Sequence, residues 1–218
     1  MTPAELRETL EVSIFPDELF AENCFIIRRR DTPRCLVVDP GLQVRRVMRQ
    51  LEDEDLEVER ILVTHGHIDH VAGVPALERA SGAPVAMHPE DLTILNWAHF
   101  AELPFLPDGF MRFGVDEPLA HGVVIPFQDL QLRVLHTPGH TQGSVCFLFG
   151  LDCFSGDTLF QRGIGRTDLP GGDTGKIVFS IRNVLYRLPP KTVVYPGHGA
   201  TTTIEEEQLL NPFVPALR

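Results

Sequence analysis

The sequence predicts an α/β domain in which two β-sheets pack together with helices on the outside. Three observations carry this. Short runs rich in Val, Ile and Phe alternate with longer amphipathic stretches. The order of strands followed by helix occurs twice along the 218 residues. No Gly/Ser or Pro tract of linker type separates the halves, so residues 1–218 are expected to form a single domain, an ordinary length for one.

The elements follow in order. Glu11–Phe15, Cys24–Arg28 and Cys35–Asp39 are expected strands, the third ended by Asp39-Pro40-Gly41. Val44–Asp55 places Val44, Val47, Met48 and Leu51 on one stripe, the spacing of an amphipathic helix. Arg60–Thr64 is a buried strand running into His65. A helix is expected over Val71–Ala80, stopped at Ser81-Gly82, and a short strand over Pro84–Met87. From Asp91 to Gly122 the chain is irregular and holds Trp97, Phe100, Phe105, Phe110 and Phe113. A loop this long either caps a site or packs on the core. Leu130–His136, Ser144–Phe149 and Asp152–Ser155 are strands again. Thr174–Leu188 is a helix with Ile177, Ile181, Leu185 and Leu188 on one side. Thr192–Tyr195 is a last strand and Ile204–Leu210 a last helix.

Composition narrows the function classes. With 43% hydrophobic and 22% charged residues the chain is globular in type. A net charge of −11 repels phosphate backbones, so no nucleic-acid partner is expected. The acidic runs Glu52–Glu57 and Glu205–Glu207 read as solvated helix faces and ends. No apolar run approaches the roughly 18 residues of a membrane span, and Met1–Glu8 lacks the pattern of a secretory signal. Cys24, Cys35, Cys146 and Cys153 lack CxxC spacing and lie in or beside apolar runs. They are expected as reduced core thiols of a cytoplasmic protein. The oligomeric state is left open.

The chemistry is concentrated in Thr64-His65-Gly66-His67-Ile68-Asp69-His70. In extended backbone His65 and His67, two apart, project to one side. Asp69 and His70 turn toward a neighbouring position as a helix begins. Imidazole and carboxylate are the donors that zinc, iron and manganese accept. Three later segments each set a ligand type beside glycine at a strand end: Pro138-Gly139-His140, Gly156-Asp157-Thr158 and Pro196-Gly197-His198.

In this order the four segments resemble the metallo-β-lactamase superfamily, and within it the small single-domain bacterial hydrolases of glyoxalase-II type. The likeness runs from Glu22-Asn23-Cys24 through Val38-Asp39-Pro40-Gly41 to Asn211-Pro212-Phe213. It implies a four-layer αββα sandwich with a metal site at the sheet edge. It also implies two divalent ions, zinc being expected and iron or manganese also suiting the donors. His65, His67 and His140 would hold one ion, Asp69, His70 and His198 the other, and Asp157 would bridge both. His88, His99, His121 and His136 fall outside these motifs and read as structural or surface residues.

The expected reaction is hydrolysis of a small thioester or ester. A hydroxide held between two cations about 3.5–4 Å apart attacks the carbonyl carbon. A metal stabilises the oxyanion, and Asp69 orients the hydroxide as the catalytic carboxylate. No GxSxG elbow is present. The resemblance implies that β-lactamases lack the bridging carboxylate, which turns the reading from antibiotics toward thioesters, S-2-hydroxyacylglutathione among them. The helical domain with which typical glyoxalase II holds glutathione is not part of this sequence. A second reading is a persulfide dioxygenase with one iron on His65, His140 and Asp157, acting on glutathione persulfide. Gly165–Asp168 and the acidic stretch before Asn211-Pro212 resemble that branch, whereas Gly197-His198-Gly199 departs from its usual Ala-His-Asp. Arg166 and Asp168 are expected either as a loop salt bridge that orients a ligand or as substrate contacts. Trp97 and Phe105 are expected at the border of the pocket.

Overall fold

The computed structural model describes residues 9–95, 100, 103–106 and 110–215. Two compact units divide the chain, one spanning Glu8–Pro118 and the other taking in Leu119–Arg218.

Among the described residues of the first, N-terminal unit, six strands form one sheet in chain order. They are β1 (Leu10–Pro16), β2 (Asn23–Arg29), β3 (Arg34–Val38), β4 (Glu57–Leu62), β5 (Val85–Met87) and β6 (Glu117–Pro118). β1, β2 and β3 are antiparallel hairpin neighbours, and from β3 to β6 the pairing is parallel. Parallel neighbours need a crossover. Helix α1 (Val44–Asp53) supplies the first, burying Val44, Val47 and Leu51 of the expected stripe in a core with Ile26, Val37 and Ile61. Each such buried side chain contributes about 1.5–3 kcal/mol.

The second crossover departs from expectation. In place of one helix over Val71–Ala80 there are two, α2 (Ile68–Val71) and α3 (Val74–Ser81). The break falls at Gly73, whose N–H donates to Pro40 O at 2.8 Å. A Cβ at Gly73 would stand 2.4 Å from Val44 Cβ and 2.5 Å from Gly41 O, so the helix yields where its backbone presses on the end of β3. α3 restarts with Pro in its first turn and ends on Gly82 at φ +68°, the left-handed stop that the sequence signals.

Among the described residues of the C-terminal unit the strands are β7 (Val124–Phe127), β8 (Leu130–His136), β9 (Val145–Phe149), β10 (Asp152–Gly156), β11 (Leu159–Phe160), β12 (Gly163–Ile164), β13 (Val193–Pro196) and β14 (Thr202–Thr203). Six of them form a sheet in the order β14-β13-β10-β9-β8-β7, and β11 and β12 form a separate hairpin. Among the described residues of this sheet only β10 and β13 pair in parallel. Helix α4 (Thr174–Asn183) is capped by Asp173, whose side chain accepts from Lys176 N at 2.9 Å. The expected helix to Leu188 stops at Asn183 and tightens into a 3-10 turn at Leu185–Arg187. Ile177, Ile181 and Leu185 still share one core with Leu135, Leu148 and Val194. Helix α5 (Ile204–Leu210) closes the unit. β7, which carries Pro126, is not among the strands expected from the sequence. As the edge strand, β7 tolerates a residue with no N–H to give. The strands β6, β11, β12 and β14 have two residues each, too few for a period to register.

Candidate metal centre

In the N-terminal unit the parallel pair β3–β4 sets Val38 beside Leu62, which brings Asp39 next to Thr64 just beyond the strand ends. Asp39 sits at φ +49°, a left-handed conformation that aspartate tolerates better than most residues. It is held there by its N–H to Leu62 O at 2.9 Å. Its carboxylate accepts from Thr64 N at 2.7 Å, Thr64 Oγ1 at 2.6 Å and His70 Nδ1 at 2.9 Å. With its own proton given to Asp39, Thr64 Oγ1 can only accept from His65 Nδ1, 3.1 Å away. Both rings therefore carry their proton on Nδ1, and in the neutral imidazole Nε2 is left as a metal donor.

The spacing of the donors fits a metal. His65 Nε2 and His67 Nδ1 lie 3.1 Å apart. Two nitrogens about 2.0–2.1 Å from one tetrahedral ion stand about 3.3 Å from each other. The His65 ring lies 4.1 Å from that of His70, centroid to centroid, and Asp69 Oδ2 lies 3.9 Å from His70 Nε2. All four ligand candidates of the HxHxDH motif thus gather where β4 ends and α2 begins.

Three supporting residues escaped the sequence reading. Asp91, fully buried, accepts from Gly66 N at 2.9 Å and pins the glycine between the two histidines. A Cβ at Gly66 would meet Asp91 O and Met87 Cε at 3.0 Å. Glu22 is also fully buried. Its Oε2 accepts from Gln43 Nε2 at 2.7 Å, and its Oε1, 3.9 Å from His70 Nδ1, has no hydrogen-bond partner among the described residues. Burial pushes the Glu22 carboxyl well above the ordinary carboxylate range, and the nearby His70 pulls it partly back. Gln43 Nε2 donates in addition to Phe15 O at 2.8 Å, tying this layer to β1. Asp39, by contrast, sits in the Asp-Pro-Gly that closes a strand, and Glu22 is marked in the sequence only as part of the family likeness.

The C-terminal unit gathers the other three candidates from three strand ends. Thr137 Oγ1 and Thr158 Oγ1 are 2.9 Å apart, which joins the segment after β8 to the one after β10. Gly197 N donates to Gly156 O at 2.8 Å across the parallel pair β10–β13, so His198 follows one strand where Asp157 follows its neighbour. Asp157 Oδ2 lies 3.4 Å from His140 Nε2 and 3.5 Å from His198 Nε2. The turn that carries His140 is moulded onto α4. Gly139 is at φ +140°, a Cβ there would stand 2.2 Å from Ile177 N, and Ser180 Oγ donates to Pro138 O at 2.8 Å. His140 Nδ1 donates to Arg166 O at 2.8 Å, which again leaves Nε2 as the donor atom. The Phe160 ring stands edge-on to His198, with centroids 6.0 Å apart.

The remaining candidates are less central. The Arg166 side chain forms an exposed ion pair with Asp168, with two contacts of 2.8 Å. It is the backbone carbonyl of Arg166, not its charge, that meets the candidate ligand His140. Phe105 packs edge-on to Phe20 at 5.5 Å and lines a cleft with Leu19, Leu42 and Arg46. Phe100 and Phe113 are buried in the core of their unit. Trp97 and His99 lie outside the described residues. His88 accepts from Glu90 N at 3.3 Å, His121 accepts from His136 N at 3.2 Å, and His136 Nε2 donates to Gln142 O at 2.8 Å. The acidic run at the C-terminal end needs a correction. Glu205 and Glu206 are solvated as expected, but Glu207 is fully buried.

The sequence profile of the metallo-beta-lactamase superfamily matches residues 17–198. The chain belongs to that superfamily. It is similar to hydroxyacylglutathione hydrolase GloC of Haemophilus influenzae, 33% identical over 94% of this chain and 98% of the relative. Among solved structures it is similar to BLEG-1, a B3 metallo-beta-lactamase, with a TM-score of 0.86 and 33% identity over 94% of this chain and all but 1% of the other (99% covered). ETHE1 from Myxococcus xanthus gives a TM-score of 0.78 and 30% identity over 94% of this chain and 84% of that one. TTHA1623, solved in a di-iron-bound form, gives 0.81 and 34% over 93% and 100%. The fold is theirs, a mixed α/β arrangement of sheets flanked by helices. The His/Asp clusters accord with the divalent metals that proteins of this superfamily bind. Among the described residues no helix is long and apolar enough to cross a membrane.

Proposed function

We propose that the chain is a dinuclear metal-dependent hydrolase of a small thioester or ester, of glyoxalase-II type. One observation carries the two-ion reading. Asp157 Oδ2 is nearly equidistant from His140 and His198, at 3.4 and 3.5 Å, and the resemblance assigns those two histidines to different ions. A carboxylate so placed suits a shared ligand. In this reading His65, His67 and His140 hold one ion and Asp69, His70 and His198 the other. Zinc is the expected metal; iron is the alternative that the di-iron relative brings in.

When bound, such a pair supplies an acidified water and a Lewis acid for the carbonyl oxygen. The protein's own part is positional. Asp39 and the Arg166 carbonyl each hold an Nδ1 proton, so His70 and His140 present Nε2 without reorganising. The Asp69 carboxylate, half-buried in the first turn of α2, orients the attacking water. The cleft that Phe105 lines with Leu19, Leu42 and Arg46 is the apolar surface this reading offers the substrate. The acyl carbon is attacked, the carbon–sulfur or carbon–oxygen bond breaks, and a thiolate or alkoxide leaves. Similarity to GloC supports a hydroxyacylglutathione among the substrates. Four free, buried cysteines support action in the cytoplasm.

The test is elemental analysis of fully loaded protein with parallel assays on S-lactoylglutathione, glutathione persulfide and a β-lactam. Two metals per chain with thioester turnover are expected. One iron per chain with oxygen consumption on the persulfide would replace this reading with the ETHE1-like one. Turnover of the β-lactam alone would move the chain toward BLEG-1.

A further inference from the structure

Glu207 is an unusual residue for the middle of α5. Its carboxylate is fully buried and fully bonded: Oε2 accepts from Arg162 N and Asn211 Nδ2, both at 2.8 Å, and Oε1 accepts from Thr202 Oγ1 at 2.7 Å. Asn211 Nδ2 also donates to Gly163 O at 3.1 Å. An apolar side chain would fill this volume without the desolvation that a carboxylate suffers. Besides holding Thr202 of β14, the carboxylate grips the tip of the β11–β12 hairpin, directly at Arg162 N and through Asn211 at Gly163 O, where Arg162 is in the left-handed region at φ +56°.

That hairpin connects two candidate ligands. It opens two residues after Asp157, and Ser155 Oγ donates to Leu159 O at 2.8 Å at its base. Its strands close with Leu159 opposite Ile164. The return arm then runs flush against the ligands. A Cβ at Gly165 would stand 1.8 Å from Asp157 O and 3.0 Å from His140 Cγ. The next residue presents the carbonyl that takes the His140 Nδ1 proton. We infer that Glu207 is a positioning residue: by clamping the hairpin tip it fixes the Arg166 carbonyl, and through it the tautomer and ring direction of His140. The consequence for metal binding rests on the proposed function; the positioning itself does not.

Full-length Glu207→Leu and Glu207→Gln, with circular dichroism to establish folding, provide the test. Nitrogen-15 spectra of the metal-free histidine rings should show His140 protonated at Nδ1 in the wild type. In Glu207→Leu the His140 signal should become a mixture of tautomers, while His70, held by Asp39, stays as it was. Zinc affinity should fall about tenfold or more in Glu207→Leu and stay within about twofold in Glu207→Gln. The amide can still accept from Arg162 N through Oε1 and donate to Thr202 Oγ1. A folded Glu207→Leu with the wild-type His140 tautomer and zinc affinity overturns the inference. If that variant does not fold, Asn211→Ala, which releases Gly163 O, decides by the same two measurements. A wild type that takes up no zinc would defeat the metal reading, yet the metal-free spectra would still decide the positioning.

Discussion

The HxHxDH cluster of the N-terminal unit and the His140, Asp157 and His198 cluster of the other unit differ in how they are built. The first takes all its donors from one short segment, Thr64–His70, and braces them with charge. Asp39 is buried and accepts from Thr64 and His70, with Glu22 behind it. The second collects its donors from the ends of β8, β10 and β13 and braces its key histidine with a backbone carbonyl. Both lie beyond the carboxyl ends of a parallel strand pair, β3–β4 in one unit and β10–β13 in the other. There neighbouring strands deliver side chains to one edge. A charged brace raises the basicity of its histidine and is sensitive to the loss of one atom's charge. A carbonyl brace cannot lose charge, but it is only as well placed as the loop that carries it.

The same isosteric change, Asp to Asn, at three positions probes this difference. The largest effect is expected at Asp157, whose Oδ2 faces two ring nitrogens. An amide is a poor bridge. Asp157→Asn should lose or loosen one metal and lower turnover by about two orders of magnitude or more, with its circular dichroism unchanged. Wild-type turnover in that variant would defeat both the hydrolase and the dioxygenase reading.

Asp39→Asn comes next. The carboxylate there accepts from three donors while 1% exposed. An amide must turn its NH2 either toward Thr64 N or toward His70, so one buried donor loses its acceptor. That costs about 1–3 kcal/mol of stability. Metal affinity should fall about 10- to 100-fold as the His70 tautomer loosens. A calorimetric titration with zinc and a melting curve check both. If affinity fell with no loss of stability, the charged brace would act on the metal alone, and the contrast with the carbonyl-braced cluster would narrow.

The legibility of the two clusters follows from the same contrast. His65, His67, Asp69 and His70 announced themselves because donor chemistry at fixed spacing is a local pattern. His140, Asp157 and His198 were legible only as a set, each beside a glycine at a strand end. Glu22 was legible only as the start of the family likeness, and the supporting contacts of Asp91 and Glu207 were not legible, because they depend on burial against Gly66 and Arg162, distant in sequence. Glu207 is the sharpest case, since the acidic run around it has the composition of a solvated helix end. The helix break at Gly73 was missed for a similar reason. The sequence gives no sign that Pro40 and Val44 press on that backbone.

Asp168→Asn should have the smallest effect, and its pH dependence is its signature. Asp168 pairs with Arg166 in the loop that braces His140, but both side chains are largely exposed, at 69% and 60%. The hydrogen bond from Arg166 holds the Asp168 carboxyl down at about 2, against an ordinary value of 3.8. Because the folded value is the lower one, whatever stability the pair adds is complete above about pH 3.8 and is lost as pH falls through about 2. Exposed pairs contribute little and are screened by salt. The melting temperatures of wild type and Asp168→Asn should therefore differ slightly at neutral pH and low salt. They should converge both toward pH 2 and in about 1 M NaCl. Turnover should be nearly unchanged, because the variant leaves the Arg166 carbonyl in place. A large loss of turnover with an intact melting curve would mean that the ion pair, and not only the Glu207 clamp, holds the carbonyl brace. The C-terminal cluster would then depend on charge as the N-terminal one does.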